Sequence, residues 1–319
     1  MIKKIFITGG CGFIGSHITE FFYKKYPKAQ IIVFDKITYA ASKKNISHLN
    51  KNRLKIIQED ILNYKLLKIH SKKTDLLIHA AAESHVDNSY IVSDRFIYSN
   101  VLGTKNIMQA ALENKIKNII HISTDEVYGE IYRGSFSESS NFNPSNPYSS
   151  SKAAAEMIVN GYIHSYKLPV KIIRANNIFG TRQHPEKLIA GICWSLLKKR
   201  KFTIHGNGQQ KRKFLYVNDL CEAIDLVYRK GKLFECYNIG SDFEYKVIDL
   251  IKIIIKKFNK NFKDSVSFVQ DRPFNDYRYS IKFSKLKKLG WKPKTRVEDA
   301  IEEIIFWYRK NYARYKNRM

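Results

Sequence analysis

Apolar residues in the first half of the chain fall in short unbroken runs, IFIT, IIVF, LLIH and IIHIS among them, separated by stretches in which they recur every three or four positions. Unbroken runs of four to six fit strands buried on both faces, and the longer period fits helices that cover them. The pattern predicts strands at 4–8, 31–35, 55–58, 76–80, 118–123 and 170–174. Each gap has room for a helix or a long loop, so the expected architecture is an α/β fold on a doubly wound parallel sheet of six strands.

Beyond residue 174 the rhythm changes to loops rich in Asn, Gly, Gln and charge, with helices near 187–199 and 247–258 and a C-terminal helix over 297–312. The expected division is a nucleotide-binding domain at 1–175 and a smaller C-terminal substrate-binding domain at 176–319. Segments within 214–240 are expected to return to the main sheet. Repeats and sustained heptads are absent from the sequence.

A hydrophobic content of 44% over 319 residues sustains a large core. Cys11, Cys193, Cys221 and Cys236 show no paired spacing, so neither disulfides nor a metal site is expected. The apolar run after Lys4 breaks at Gly9-Gly10, too early for a signal peptide, and no stretch approaches a membrane span. A cytoplasmic protein without a membrane partner is expected. The net charge of +27 raises nucleic-acid binding as a rival function. Abundant Lys, Asn, Ile, Tyr and Phe beside scarce Gly and Pro favour a compositional drift toward exposed lysine instead, and no specific nucleic-acid partner is expected.

The first predicted strand runs into Thr8-Gly9-Gly10-Cys11-Gly12-Phe13-Ile14-Gly15, followed by a helical period. Glycines at Gly9, Gly12 and Gly15 permit a tight turn, close approach of backbone to a pyrophosphate, and close helix–strand packing, with the phosphates at the helix N-terminus. This is the Rossmann-type arrangement. Asp35 ends the second strand twenty residues after Gly15, where a carboxylate accepts from the adenosine ribose hydroxyls and selects NAD over NADP. Lys36 is placed to meet a 2′-phosphate, but the carboxylate beside it repels one. Asp60, next to Ile61, suits the adenine edge, or is simply a strand-end aspartate.

Tyr148 and Lys152 stand four apart, on one face of a helix, where an ammonium beside a phenol lowers its pKa and makes a base. The same spacing occurs at Tyr39/Lys43, Tyr64/Lys68, Tyr228/Lys232 and Tyr312/Lys316. Only Tyr148 follows a proline at a helix start, has small neighbours through Ala155, and lies one loop after the fifth strand. Together with the glycine pattern and Asn100 before Gly103-Thr104, this pair resembles the extended short-chain dehydrogenase/reductase superfamily. That resemblance implies NAD contacts from Ala80, Ala82 and Asn100 as well.

At the exit of the fifth strand stands Ser123-Thr124-Asp125-Glu126-Val127-Tyr128-Gly129, adjacent carboxylates where such sheets bind ligands. The stretch resembles the dTDP-glucose 4,6-dehydratase family. Further matches are residues 81–87, 146–148, 176–177, 185–188, 215–217 and 271–273. The resemblance implies that Tyr148 takes the proton of the glucose 4-hydroxyl, with Thr124 and Lys152 assisting. It implies that Glu126 takes the C5 proton and Asp125 protonates the departing 6-hydroxyl. It also places Ser84, Asn177, Lys187, Leu188, His205, Arg212 and Arg272 against a nucleoside-diphosphate glucose, and implies a homodimer through segments 99–114 and 149–167.

Departures from the family pattern gather at the nucleotide end: His205 for a tyrosine, Lys213 for an aspartate, and Phe274, Asn275 and Tyr277 for Gly, His and Arg. The nucleotide is therefore left open between thymidine and uridine, with UDP-glucose an expected candidate substrate beside dTDP-glucose, one methyl being worth only about 1–3 kcal/mol. A nucleotide-sugar 4-epimerase or decarboxylase on the same scaffold is the alternative, and it has no use for both carboxylates.

Overall fold

A computed structural model describes residues 2–271 and 276–315. Strands β1 (Lys4–Thr8), β2 (Gln30–Asp35), β3 (Leu54–Gln58), β4 (Leu76–His79), β5 (Ile119–Thr124) and β6 (Val170–Ala175) match the six apolar runs to within a residue or two. The later half adds β7 (Asn177–Phe179), β8 (Phe202–His205), β9 (Lys211–Tyr216), β10 (Cys236–Ile239), β11 (Glu244–Lys246) and β12 (Val266–Val269). The main sheet has seven strands, not six, in the order β10-β6-β5-β4-β1-β2-β3, all parallel.

Alternate side chains of each strand feed two cores. Ile5, Ile7, Val33, Ile78 and Ile122 meet Ile18 and Phe22 of the helix Phe13–Lys25 and Leu220 and Ile224 of the helix Val217–Lys230. Phe6, Phe34, Leu77 and Ile119 meet Ile107 and Val159 from the helices Gly103–Glu113 and Pro147–Tyr166. Burial on both faces is why these strands lack polar alternation.

The segment 214–240 divides. Helix Val217–Lys230 and β10 join the main sheet, but residues 214–216 belong to β9, which pairs with β7 and β11 in a separate three-stranded sheet. Beside it β8 and β12 form a two-stranded sheet. Their core holds Trp194, Ile254, Ile304 and Tyr308, so the C-terminal helix Val297–Asn311 packs here as its apolar stripe predicts.

Sheet order reverses between β1 and β4, which opens a crevice at their carboxyl ends. A cleft of about 1160 Å³ begins there and extends to β8 and β9. All four cysteines are free thiols. Among the described residues no helix is long and apolar enough to cross a membrane, and no cluster of metal-binding side chains occurs.

Candidate active site

The glycine turn forms one end of the cleft. Gly9 takes a positive φ of 70° and packs so tightly on the loop after β4 that a Cβ would stand 2.7 Å from Ala81. At Gly15 a Cβ would fall 2.0 Å from the Gly9 carbonyl oxygen. The helix Phe13–Lys25 that follows has no side-chain cap, so its first N–H groups remain free for an anion. Asp35 is buried at the tip of β2 and accepts from the Cys11 N–H at 2.8 Å and the Ile37 N–H at 2.7 Å. Burial nonetheless holds its pKa above the ordinary carboxylate value. These features fit a dinucleotide with a free adenosine ribose.

Lys36 does not face the cleft as a free cation: its Nζ pairs with Asp60 at 2.7 Å. Asp60 also accepts from the Leu62 N–H at 3.0 Å, so it shapes its own turn while lining the cleft beside Ile61. Ala80 and Ala82 line the opposite wall. Asn100 does not line the cleft. It is buried in a wide π-type turn, Ile97–Leu102, and its amide is consumed by the Glu83 backbone N–H at 2.8 Å, the Glu83 carbonyl at 3.0 Å and Ser151 Oγ at 2.8 Å. Its place is behind the wall rather than on it, a correction to the contact expected from sequence.

Helix Pro147–Tyr166 carries the Tyr–Lys pair to the middle of the cleft. Asn146 caps it, accepting from the Ser149 N–H at 2.9 Å while Ser149 Oγ accepts from the Asn146 N–H at 3.2 Å, and Pro147 occupies the first turn. Tyr148 is thereby fixed one residue inside the helix, edge-on to Phe96 with ring centroids 6.3 Å apart. Lys152 is buried and its Nζ donates to the Ile122 carbonyl at 2.7 Å. Burial pulls its pKa down to about 8, with Glu156 opposing.

The phenol itself departs from expectation. Burial and the charges of Glu126 and Asp125 push the Tyr148 pKa well above its usual value, and the Thr124 hydroxyl opposes them only in part. Lys152 does not offset this, because its ammonium is directed at the β5 backbone. A cationic group beside Tyr148 is needed before it serves as a base.

Thr124, Asp125 and Glu126 sit where β5 ends and a single 3₁₀ turn begins, with Thr124 Oγ1 accepting from the Glu126 N–H at 3.3 Å. Asp125 is 3% exposed. Burial first, and Glu126 second, push its pKa up to about 7, against the Asn176 amide that donates to Oδ2 at 2.6 Å. Desolvation thus outweighs the like-charged neighbour. Glu126 is likewise raised by burial and Asp276, while Lys187 and Arg212 lower it.

At the far end Ser84, Asn177, Lys187, Leu188, His205 and Arg212 all line the same cleft. Lys187 Nζ donates to the Ser84 carbonyl at 2.7 Å, a tie across the mouth. Asn177 Nδ2 is buried without a partner, and His205 is exposed on the rim. Arg212 donates to the carbonyls of Lys211 at 2.9 Å and Asp276 at 2.7 Å and lies over the Tyr279 ring at 4.8 Å. Arg272, Phe274 and Asn275 lie outside the described residues, as does Lys316.

Sequence reasoning missed Asp276 and Tyr279. Asp276 is buried, accepts from Ser145 Oγ at 2.9 and 3.1 Å and from the Tyr279 hydroxyl, and borders Glu126. No local signal marks them, because what ties them to the site, Ser145, Arg212 and Glu126, lies 64 or more positions away in the chain. Asn146 carried a signal in its Asn-Pro start, a capping residue one position before Tyr148.

A parallel sheet that reverses at a glycine turn, with a Tyr–Lys helix beside it, defines an extended short-chain dehydrogenase/reductase. The chain belongs to the 4,6-dehydratase family, whose sequence profile, described as GDP-mannose 4,6 dehydratase, matches residues 6–304. It is 43% identical to the human dTDP-D-glucose 4,6-dehydratase over 99% of this chain and 92% of that one. It is 40% identical to an Arabidopsis thaliana trifunctional enzyme that includes UDP-glucose 4,6-dehydratase, over 97% of this chain and 47% of that one. The crystal structure of a dTDP-glucose 4,6-dehydratase from Streptomyces venezuelae with NAD bound superposes with a TM-score of 0.96. The two chains are 35% identical, with 99% of this chain and all of that one covered.

Proposed function

We propose that this protein is an NAD-dependent nucleotide-sugar 4,6-dehydratase that converts dTDP-glucose or UDP-glucose to the 4-keto-6-deoxy sugar nucleotide. The observation that carries the reading is the buried Asp125–Glu126 pair at the end of β5, in the same cleft as Tyr148 and Lys152. The activities of the human and Arabidopsis relatives support it. NAD, when bound along the glycine turn, supplies the hydride acceptor for C4, the hydride returned to C6, and a positive charge beside Tyr148.

Within that frame each side chain has a task. Tyr148 removes the proton of the 4-hydroxyl, aided by Thr124, and Lys152, whose Nζ donates to the Ile122 carbonyl, is assigned to hold the cofactor ribose. Glu126 then takes the C5 proton, made acidic by the new C4 ketone. Asp125, with a pKa of about 7, is substantially protonated at neutral pH and delivers its proton to the 6-hydroxyl, which leaves as water. Glu126 afterwards returns its proton to C5.

Arg212, Lys187 and Asn177 are assigned to the diphosphate and nucleotide, with Leu188 and His205 toward the base, Ser84 toward the sugar, and Arg272 as a second phosphate ligand. Asp35, Asp60, Ile61, Ala80 and Ala82 are assigned to NAD, with Asn100 acting from behind the wall. We assign a homodimer through the helices that carry Tyr98, Leu102, Met157 and Tyr166, which are 44–57% exposed. We place the protein in the cytoplasm, in keeping with its four free thiols.

The test is mass spectrometry of the product after dTDP-glucose and UDP-glucose are supplied separately, without added NAD. Loss of one water from either is expected. An unchanged mass with both, repeated with NAD added, overturns the reading in favour of an epimerase.

A further inference from the structure

Beneath the cleft, β1 and β4 place Thr8 beside His79 and β4 and β5 place His79 beside His121, on the face covered by helices Gly103–Glu113 and Pro147–Tyr166. His79 is 1% exposed and both ring nitrogens are engaged: Nδ1 lies 2.7 Å from Thr8 Oγ1 and Nε2 lies 3.0 Å from Thr104 Oγ1. The proton directions follow from the outer partners. Thr104 donates its hydroxyl hydrogen to the Asn100 carbonyl at 2.5 Å, so toward His79 it can only accept, and Nε2 carries the ring hydrogen. In a neutral ring Nδ1 is then bare and accepts from Thr8, whose oxygen accepts in turn from the Ala81 N–H at 3.3 Å.

The chain does not stop at Asn100. Its amide holds both backbone groups of Glu83 and donates to Ser151 Oγ, which donates to the Tyr148 carbonyl at 2.7 Å. Two runs of hydrogen bonds that meet at Asn100, one ending on its backbone carbonyl and the other passing through its side-chain amide, therefore join the Ala81–Glu83 wall of the crevice, against which Gly9 packs, to the first turn of the helix bearing Tyr148. A neutral imidazole is the side chain that donates from one edge and accepts at the other across this separation.

We propose that His79, fixed as the neutral Nε2–H tautomer, is a positioning residue that sets the distance between the cofactor wall and Tyr148, and hence the hydride-transfer geometry. The inference rests on the dehydratase reading for its kinetic consequence, but the tautomer does not depend on it. Burial, reinforced by the Lys152 ammonium, lowers the His79 pKa to about 3, in keeping with a ring that stays neutral.

Two measurements test it. Ring-nitrogen NMR of the 15N-histidine-labelled, NAD-bound protein, with His79 assigned from its loss in His79→Gln, is expected to show a neutral Nε2–H ring that does not titrate between about pH 5 and 9. A ring protonated on Nδ1, or one that titrates in that window, overturns the proposal. In steady state, His79→Leu is expected to lower kcat roughly ten- to a hundredfold. The KM for the sugar nucleotide should stay within about twofold, and the isotope effect from a C4-deuterated substrate should be larger than in the wild type.

A lower Tm with wild-type kcat and isotope effect would reduce His79 to a structural role. If His79→Leu does not fold, Thr104→Val is expected to give the same kinetic signature and Thr104→Ser to restore it, and a silent Thr104→Val overturns the coupling. A protein that dehydrates neither sugar nucleotide refutes the functional reading, and the tautomer measurement still decides the network.

Discussion

Asn176 Oδ1 accepts the Ser241 N–H at 3.1 Å, and this orients the amide so that its Nδ2 donates to Asp125 Oδ2 at 2.6 Å. Thr124 Oγ1 donates to the other oxygen, Oδ1, at 3.4 Å, so both edges of the Asp125 carboxyl are held by donors. An acid held at both oxygens keeps one orientation in the cleft.

Asp125 must be protonated to act, and its pKa is about 7. Turnover is therefore expected to fall as pH rises through about 7, giving the alkaline limb of the kcat profile. Asp125→Asn is expected to lower water loss by roughly 10²–10⁴-fold. C4 oxidation, followed as absorbance of the reduced nicotinamide, should persist. Turnover equal to wild type would remove Asp125 from the mechanism.

The same group sets a stability trend. A carboxyl whose pKa is raised in the folded protein destabilises it only where it is ionised, so the cost appears as pH rises above the unfolded value and is complete above the folded one. The rise from 3.8 to about 7 caps this cost at roughly 4 kcal/mol. The gain in Tm of Asp125→Asn over wild type should thus be larger at pH 8 than at pH 5.

Removing the donor that favours the carboxylate should raise the Asp125 pKa further. Asn176→Ala is expected to shift the alkaline limb of kcat to higher pH, while leaving the Ser241 N–H unpaired costs about 1–3 kcal/mol of stability. A limb that stays in place would show that another group controls it.

Gly15→Ala puts a methyl 2.0 Å from the Gly9 carbonyl oxygen, backbone against backbone. The turn must open, and purified protein should lose its NAD on gel filtration, with the loss read by absorbance of the denatured supernatant. Full retention of NAD by the variant contradicts the assigned cradle.

Arg174 and Glu156 form an ion pair buried under the catalytic helix, the guanidinium also donating to the Glu138 carbonyl at 3.1 Å. Glu156→Gln leaves that cation uncompensated and should destabilise the protein by roughly 3–5 kcal/mol in urea titration. It should also bring the Lys152 pKa lower, since Glu156 is the charge that opposes its burial.

Much of this was legible in the chain because the parallel sheet leaves a strong mark. Strands β1, β2, β4, β5 and β6 are buried on both faces, and unbroken runs such as IFIT and IIVF admit few other readings. Strand β10 was harder, since Cys236–Ile239 is short and mixes Tyr and Asn with apolar residues. Its parallel pairing with β6 depends on a return path that no local pattern encodes. At the site, Thr124 to Glu126 and Tyr148 to Lys152 were visible because each group lies within a few residues on one element. Asn100 was visible as a residue but misplaced, because its partners Glu83 and Ser151 lie 17 and 51 positions away. Asp276 escaped for the same reason.

The route of the chain between its sheets limits how the protein can be divided. After β6 it leaves for β7 and β9, comes back through helix Val217–Lys230 and β10, and leaves again at β11. A gene fragment ending at residue 175 would strip β6 of its outer partner and the face beneath β1 of Leu220 and Ile224, presenting a bare strand edge to other chains. The smaller sheets with their helices are therefore not a detachable cassette. Specificity in this architecture has to change by substitution within one interlaced polypeptide, not by exchanging its C-terminal half.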